Sequence, residues 1–338
     1  MERNEMRDHR IDNIKAFLIF FVIFGHFLEL FPNGGTLYRI IYSFHMPTFI
    51  FISGYFAKFD RKKIMSALVY PYVLFQILYL FFDALVIKED IASFALQFTT
   101  PYWLLWYLLA MALYHLTLPF VDGVDSRIVF VLACALSITA GFDSTIGYYL
   151  TLSRFFTFLP YFFLGVMLGR IDIGHLLKNK AFRFVTAVVA LVACYLLHKQ
   201  GLVNNAALYG SYSYAAGDYS FVVRLLLLLA GINWIFFFLW FFPQHKLPLI
   251  SSIGKYTLIP FLLHGFLKKY LEHRGSFFVY STYVNMGIAV LLSLIILLIF
   301  GNQYVGSALR LFFTGEGIHR IRRKISTGQK KRQVAISR

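Results

Sequence analysis

The chain is short of charge. Asp, Glu, Lys and Arg make up 14% of its 338 residues, where a soluble domain carries roughly 25%. It is equally short of cysteine. Cys134 and Cys194 each sit inside an apolar run, and there is no CxxC or Cys/His cluster. A disulfide scaffold or zinc site therefore has no support, and both thiols read as small buried hydrophobes. No internal repeat, low-complexity segment or separate soluble domain is visible. The short alternating segments of an outer-membrane barrel are missing too. What is present is apolar: 59% hydrophobic residues, with 39 Phe and 22 Tyr. One water-soluble core could not hide that much apolar surface. A soluble enzyme and a disordered chain are excluded, leaving an all-α polytopic membrane protein.

A bilayer core takes about 20 apolar residues per helix. Ten stretches qualify, near 14–31, 38–57, 64–87, 102–120, 127–142, 148–169, 182–198, 221–242, 250–270 and 279–301. The first lacks a small-residue cleavage site and is expected to stay in place as a span. An even number puts both termini on one side. Charge then separates sharply between the two sides. The side bearing Lys58 to Lys63, Arg170 to Arg183 and the segment from Asn302 sums to +15, the other to +1. By the positive-inside rule both termini are cytoplasmic. Residues 1–301 form the membrane domain and 302–338 a basic cytoplasmic tail. The run Arg320, Arg322, Arg323, Lys324, Lys330, Lys331 and Arg332 serves topology and contact with anionic membrane lipids rather than nucleic acid. The loop near 199–220, rich in Tyr, Asn, Gly and Ser, is extracytoplasmic. Aromatics and amides suit a sugar site, though a plain linker has the same composition.

Ionisable residues at membrane depth are costly and usually functional. Lys15 and His26 are eleven residues apart, close to three full turns, so they share one helix face with His26 about 16 Å deeper. Glu29 shares part of that face. In the second span, His45 falls at a similar depth if the helix runs antiparallel to the first. Pro47 interrupts its hydrogen-bond ladder, and Gly54 permits close approach. Arg154 enters the sixth span and His264 lies in the ninth, where a helix-to-helix hydrogen bond is the simplest role. His115, His198, Arg39 and Asp83 read as interfacial. Gly165-x-x-x-Gly169 reads as helix packing. Tyr102-Trp103-Leu-Leu-Trp106-Tyr107 has the composition of an aromatic belt.

Arg10-x-Asp12-x-x-Lys15 followed by Gly25-His26, then Phe44-His45-Met46-Pro47 leading to Ser53-Gly54-Tyr55, resembles the acyltransferase-3 family of integral-membrane acyltransferases. The nearest likeness is to its fucose 4-O-acetylase-like branch. Lys15 and His26 match a basic-residue-x10-His motif. Trp106-Tyr107-Leu108, Ser153-Arg154 with Phe158 to Gly165, and Gly254 to Thr257 with His264 resemble later elements in the expected order. The resemblance implies a ten-helix bundle in the cell membrane, by expectation a bacterial plasma membrane. It also implies transfer of an acyl group, by default acetyl, from cytoplasmic acetyl-CoA as co-substrate. The acceptor would be a hydroxyl of a cell-surface glycan or lipid-linked sugar. Some members carry an extra hydrolase-like domain. None is seen here, so a self-sufficient enzyme is expected.

The residues suit that chemistry. A sugar hydroxyl needs a base at neutral pH, and His26 is the candidate. His45 could orient it, assist it or hold a transient acyl group. Lys15 and Arg10 at the cytoplasmic mouth suit coenzyme A phosphates, and Arg154 suits a phosphate or an oxyanion. Asp12, Glu29, Ser53, Trp106 and His264 support the site. No metal is required. The alternative is a proton-coupled transporter, against which stands the lack of an inverted repeat.

Overall fold

The computed structural model describes residues 8–31, 35–199, 202–275 and 278–315, and among these the regular elements are all helical. In chain order the principal helices are α1 (Arg10–Leu28), α2 (Gly35–Tyr55), α3 (Arg61–Ile87), α4 (Trp103–Val121), α5 (Ser126–Thr139) and α6 (Leu152–Leu168). There follow α7 (Lys180–His198), α8 (Phe221–Phe241), α9 (Pro248–Lys255), α10 (Leu258–Arg274), α11 (Thr282–Phe300) and α12 (Gln303–Phe313). Polar residues start several of them at the ends of the apolar runs. Asp60 accepts from the Lys62 and Lys63 amides, Asp125 from Arg127, Asn179 from Phe182, Ser220 from Val223 and Asn302 from Tyr304 and Val305. Each cap satisfies amides that have no partner inside the helix.

Every one of the ten expected stretches is helical, and among the described residues seven helices are long and apolar enough to cross a membrane. The other three differ for physical reasons. The second is diluted by polar residues including His45, and the fifth is shorter. The ninth, expected as one run over 250–270, is broken into α9 and α10 at Tyr256–Thr257. Pro260 lies in the first turn of α10, where its missing N–H costs nothing, so the chain restarts a helix there. Residues 316–338, most of the expected basic tail, lie outside the described residues. The part before them forms α12.

The centre of the bundle is α1, packed against α2, α8, α9, α10 and α11. Peripheral helices turn apolar side chains outward, as Phe184 and Leu191 of α7 do at 71% exposure each. A surface of that kind suits lipid rather than water. Two glycine contacts set the inner geometry. A Cβ on Gly54 would lie 2.0 Å from the Phe162 carbonyl oxygen, and one on Gly165 2.2 Å from that of Phe51. The backbones of α2 and α6 therefore touch, and Gly165-x-x-x-Gly169 is a packing motif as its sequence implies. At the N-terminal end of α1, a Cβ on Gly254 would meet the Asp12 carbonyl at 1.9 Å. Asn13 Nδ2 donates to the Pro243 and His245 carbonyls, and Ser251 Oγ donates to Asn13 Oδ1. That cluster clamps the start of α1 to α9.

Candidate active site

Along one side of α1 run two cavities of about 260 and 250 Å³. Each is a little under the roughly 300–1,000 Å³ of typical small-molecule pockets. Lys15, Ser53, Tyr107 and Thr257 line the one nearer the N-terminal end of α1. The second holds His26, Glu29, His45, Trp106, Arg154 and Tyr209. Val22, Met46 and Phe261 line both, so three side chains form the wall between them. The shared face of Lys15 and His26 thus faces two neighbouring cavities divided by those side chains. In the orientation expected from the charge count, the Lys15 cavity is named the inner one and the His26 cavity the outer.

His26 is buried, and its Nδ1 lies 2.8 Å from Nε2 of His264. The ring planes are 11° from parallel and the centroids 5.1 Å apart, so the two imidazoles meet edge to edge through that hydrogen bond. Nδ1 of His264 in turn lies 2.9 Å from the Pro260 carbonyl. A carbonyl only accepts, so this nitrogen carries the proton and donates. Neutral His264 then has a lone pair on Nε2, which accepts from His26 Nδ1–H. That leaves Nε2 of His26 without a proton and available to the cavity. The tautomer follows from the hydrogen-bond chain. The close partner of His26 is therefore His264, on α10, rather than His45. His45 shares the cavity at the depth the antiparallel pairing requires, and its Nδ1 donates to the Ile41 carbonyl at 2.8 Å. Its Nε2 is likewise left as an acceptor.

Glu29 lines the His26 cavity. It pairs with Lys268 Nζ at 3.1 Å and accepts from the Tyr42 hydroxyl at 2.6 Å. Lys268 is 3% exposed, pairs also with Glu272 at 2.9 Å and stands over the Trp103 ring at 4.8 Å. Trp103 itself packs against His26, centroid to centroid 4.6 Å, from a backbone φ of +31°. A bulky residue in that region is strained and is held there by its surroundings. Trp103 and Trp106 are accordingly cavity walls, the supporting place expected of Trp106 and a correction to the aromatic-belt reading for Trp103. Their lipid-like composition hid a face of α4 that points into the protein.

The three basic residues expected to hold donor phosphates are not together. Lys15 lines the inner cavity and forms an ion pair with Asp12 at 3.1 Å. Arg10 lines neither cavity, and its Nε is buried with no acceptor among the described residues. Arg154 lies in the outer cavity beside His26, well removed from Lys15. Its position at the start of α6, which the chain enters from the outer side, decides this. Ser53 Oγ donates to the Phe49 carbonyl and lies 3.0 Å from the Tyr107 hydroxyl, which must then donate to it.

The loop expected near 199–220 is a folded cap. Its short helices, Asn205–Tyr209 and Tyr214–Gly217, are tied down by Arg224. That side chain donates to the Ser137 and Tyr212 carbonyls and bonds the Tyr219 hydroxyl. Tyr209 reaches the cavity and lies 2.7 Å from the Tyr38 hydroxyl. Burial raises its phenol pKa above the usual value of 10, so it stays protonated while accepting from the Tyr38 hydroxyl. Sequence reading missed Lys268, Trp103, Tyr42 and Tyr209 as site residues. Lys268 follows His264 by four and Trp103 precedes Trp106 by three. That spacing puts each on the face of a residue already singled out.

With the geometry established, comparison with known proteins is informative. A family profile described as an acyltransferase domain matches residues 8–304. Nodulation protein NolL of Sinorhizobium fredii (strain NBRC 101917 / NGR234) is 32% identical over 126 residues, covering 31% of this chain and 34% of NolL. The matched segment thus spans about a third of that relative. No solved structure matches the chain.

Proposed function

The chain belongs to the acyltransferase-3 family of membrane acyltransferases, and from that premise we propose that it is an O-acetyltransferase of a bacterial plasma membrane. Cytoplasmic acetyl-CoA is the donor. A hydroxyl of a surface glycan or lipid-linked sugar is the acceptor. Membership leaves the transporter alternative without support. The observation that carries the reading is the pair of cavities meeting at Val22, Met46 and Phe261, with Lys15 on the inner one and His26 on the outer.

In this reading the phosphates of the donor lie at the inner mouth, where Lys15 exchanges Asp12 for phosphate. The pantetheine arm extends along α1 over the roughly 16 Å of rise between Lys15 and His26. The acceptor enters the outer cavity beneath the 202–219 cap. Nε2 of His26 takes the hydroxyl proton as the oxygen attacks the thioester carbonyl. The carbon–sulfur bond breaks, and the departing thiolate recovers the proton from the imidazolium. His264 holds the His26 ring and accepts from its Nδ1–H throughout. His45, with an acceptor nitrogen in the same cavity, orients the incoming hydroxyl.

The test is transfer of label from radioactive acetyl-CoA to glycan acceptors by protein purified in detergent. His26→Asn keeps the size and one hydrogen bond but cannot take the proton, so turnover falls by about 10²–10⁴. Donor binding by calorimetry survives that change. Lys15→Ala gives the opposite balance, with weaker donor binding and a smaller loss at saturating donor. Near-normal turnover in His26→Asn refutes the general base. Absence of any acetyl transfer by the intact protein refutes the function.

A further inference from the structure

Two arginines bond the cap, and they are used differently. Arg224 is spent on the fold. It is 4% exposed, and its terminal nitrogens bond the Ser137 and Tyr212 carbonyls and the Tyr219 hydroxyl. Arg154 is held in place but not consumed. Its Nε donates to the Tyr209 carbonyl at 3.2 Å. The guanidinium carbon stands 5.0 Å from the centroid of Trp106 and 5.4 Å from that of Tyr148. No carboxylate lies within ion-pair distance of it among the described residues, and its two terminal amino groups have no protein acceptor there. The acid that shares the cavity, Glu29, is already taken by Lys268 and Tyr42. A guanidinium fixed between two aromatic rings, with its fork facing a cavity, is arranged to receive a planar or tetrahedral anion in bidentate fashion.

We propose that Arg154 binds an anionic group carried by the acceptor, a phosphate or carboxylate, and that this enzyme therefore acetylates an acidic glycan or phosphate-linked sugar in preference to a neutral one. The inference rests on the reading of the outer cavity as the acceptor's side of the transferase. Because Arg154 and His26 line the same cavity, an anion on the guanidinium would anchor the sugar with a hydroxyl within reach of the base. The Tyr209 carbonyl that fixes Nε belongs to the cap, so the cap holds the guanidinium in position.

The experiment uses the full protein in detergent micelles, where the outer cavity is open to soluble probes. Glucose 6-phosphate, glucuronic acid and methyl glucoside serve as acceptors for labelled acetyl-CoA. At least one of the two anions should exceed the neutral glucoside in kcat/KM by about tenfold or more, the scale of one charge-assisted bidentate contact. The anion preferred tells a phosphate-bearing acceptor from a carboxylate-bearing one. Arg154→Gln should erase the preference, and Arg154→Lys, a point charge without the fork, should keep part of it. Calorimetry of the same probes without donor separates the two readings. Anion binding lost in Arg154→Gln, with no acetyl transfer by the unaltered protein, upholds the anion site and sinks the transferase reading. Transfer with equal preference for all three probes does the reverse. A preference that persists in Arg154→Gln overturns the proposal, as does an equal fall for all three probes, which would put Arg154 at the reacting centre or in packing.

Discussion

The hydrogen-bond chain from Pro260 through His264 to His26 makes a sharp prediction about a residue that touches no substrate. Replacing His264 by Phe keeps a flat ring in the same space and deletes the Nε2 that accepts from His26 Nδ1–H at 2.8 Å. Two losses follow. In the resting state the protonated Nδ1 of a buried ring loses its acceptor, a cost of about 1–3 kcal/mol that the ring escapes by moving its proton to Nε2. The cavity-facing nitrogen then bears hydrogen and cannot act as base. In the transition state the charged imidazolium loses a hydrogen bond worth about 1.5–3 kcal/mol. At about 1.4 kcal/mol per tenfold, His264→Phe should lower kcat by roughly 10–100-fold, less than loss of the base itself. His264→Gln restores an acceptor oxygen and should recover most of that loss. Turnover is measured with labelled acetyl-CoA, normalised to monodisperse protein, and KM for the donor should not move. The decisive arm is the double variant. With His26→Asn already in place, His264→Phe should cost little more, because residues acting as one unit are not additive. Fully additive losses, or near-normal kcat in His264→Phe, would refute the relay and leave His264 as a packing residue.

Two further outcomes are expected. Gly165→Ala puts a Cβ 2.2 Å from the Phe51 carbonyl oxygen and 2.6 Å from the Tyr55 amide nitrogen. Backbone cannot step aside, so α2 and α6 must separate at a cost of about 1–3 kcal/mol, seen as a lower thermal midpoint in detergent. Gly147→Ala meets nothing within 4 Å and should leave the midpoint unchanged. For sidedness, cysteine at the exposed positions Ala215 and Lys62, in a background without Cys134 and Cys194, should respond oppositely to an impermeant maleimide on intact cells. Ala215→Cys labels and Lys62→Cys is spared, and the reverse pattern overturns the cytoplasmic placing of Lys15.

How much was legible in the chain itself depends on the distance over which each property is decided. Apolar runs of about one bilayer thickness are local, and each of the ten expected stretches is helical. The common face of Lys15 and His26 is also local. A helix repeats every 3.6 residues whatever surrounds it, and the two side chains line adjacent cavities beside α1. Gly54, Gly165 and Gly169 were readable as contact points because only packing explains glycine at that spacing in an apolar helix. The break between α9 and α10 was half legible, since Pro260 announces an interruption but not whether it is a kink or a restart. Long-range pairing was not legible. His264 joins His26 across 238 positions of sequence, and Glu29 meets Lys268 only because α10 packs beside α1. Composition misassigned Trp103, because an aromatic residue facing lipid and one facing a cavity look the same in sequence. The sequence left Arg154 between a phosphate and an oxyanion role. Its place in the outer cavity follows from α6 entering the bundle at the capped end. The sequence alone determined the helices, their faces and the candidate base. Only the packing of α10 against α1, and of the cap over both cavity walls, decided which nitrogen of His26 is free and which cation shares its cavity. Periodicity acts within one helix, whereas the partner of a buried polar group is chosen by whichever helix lies opposite.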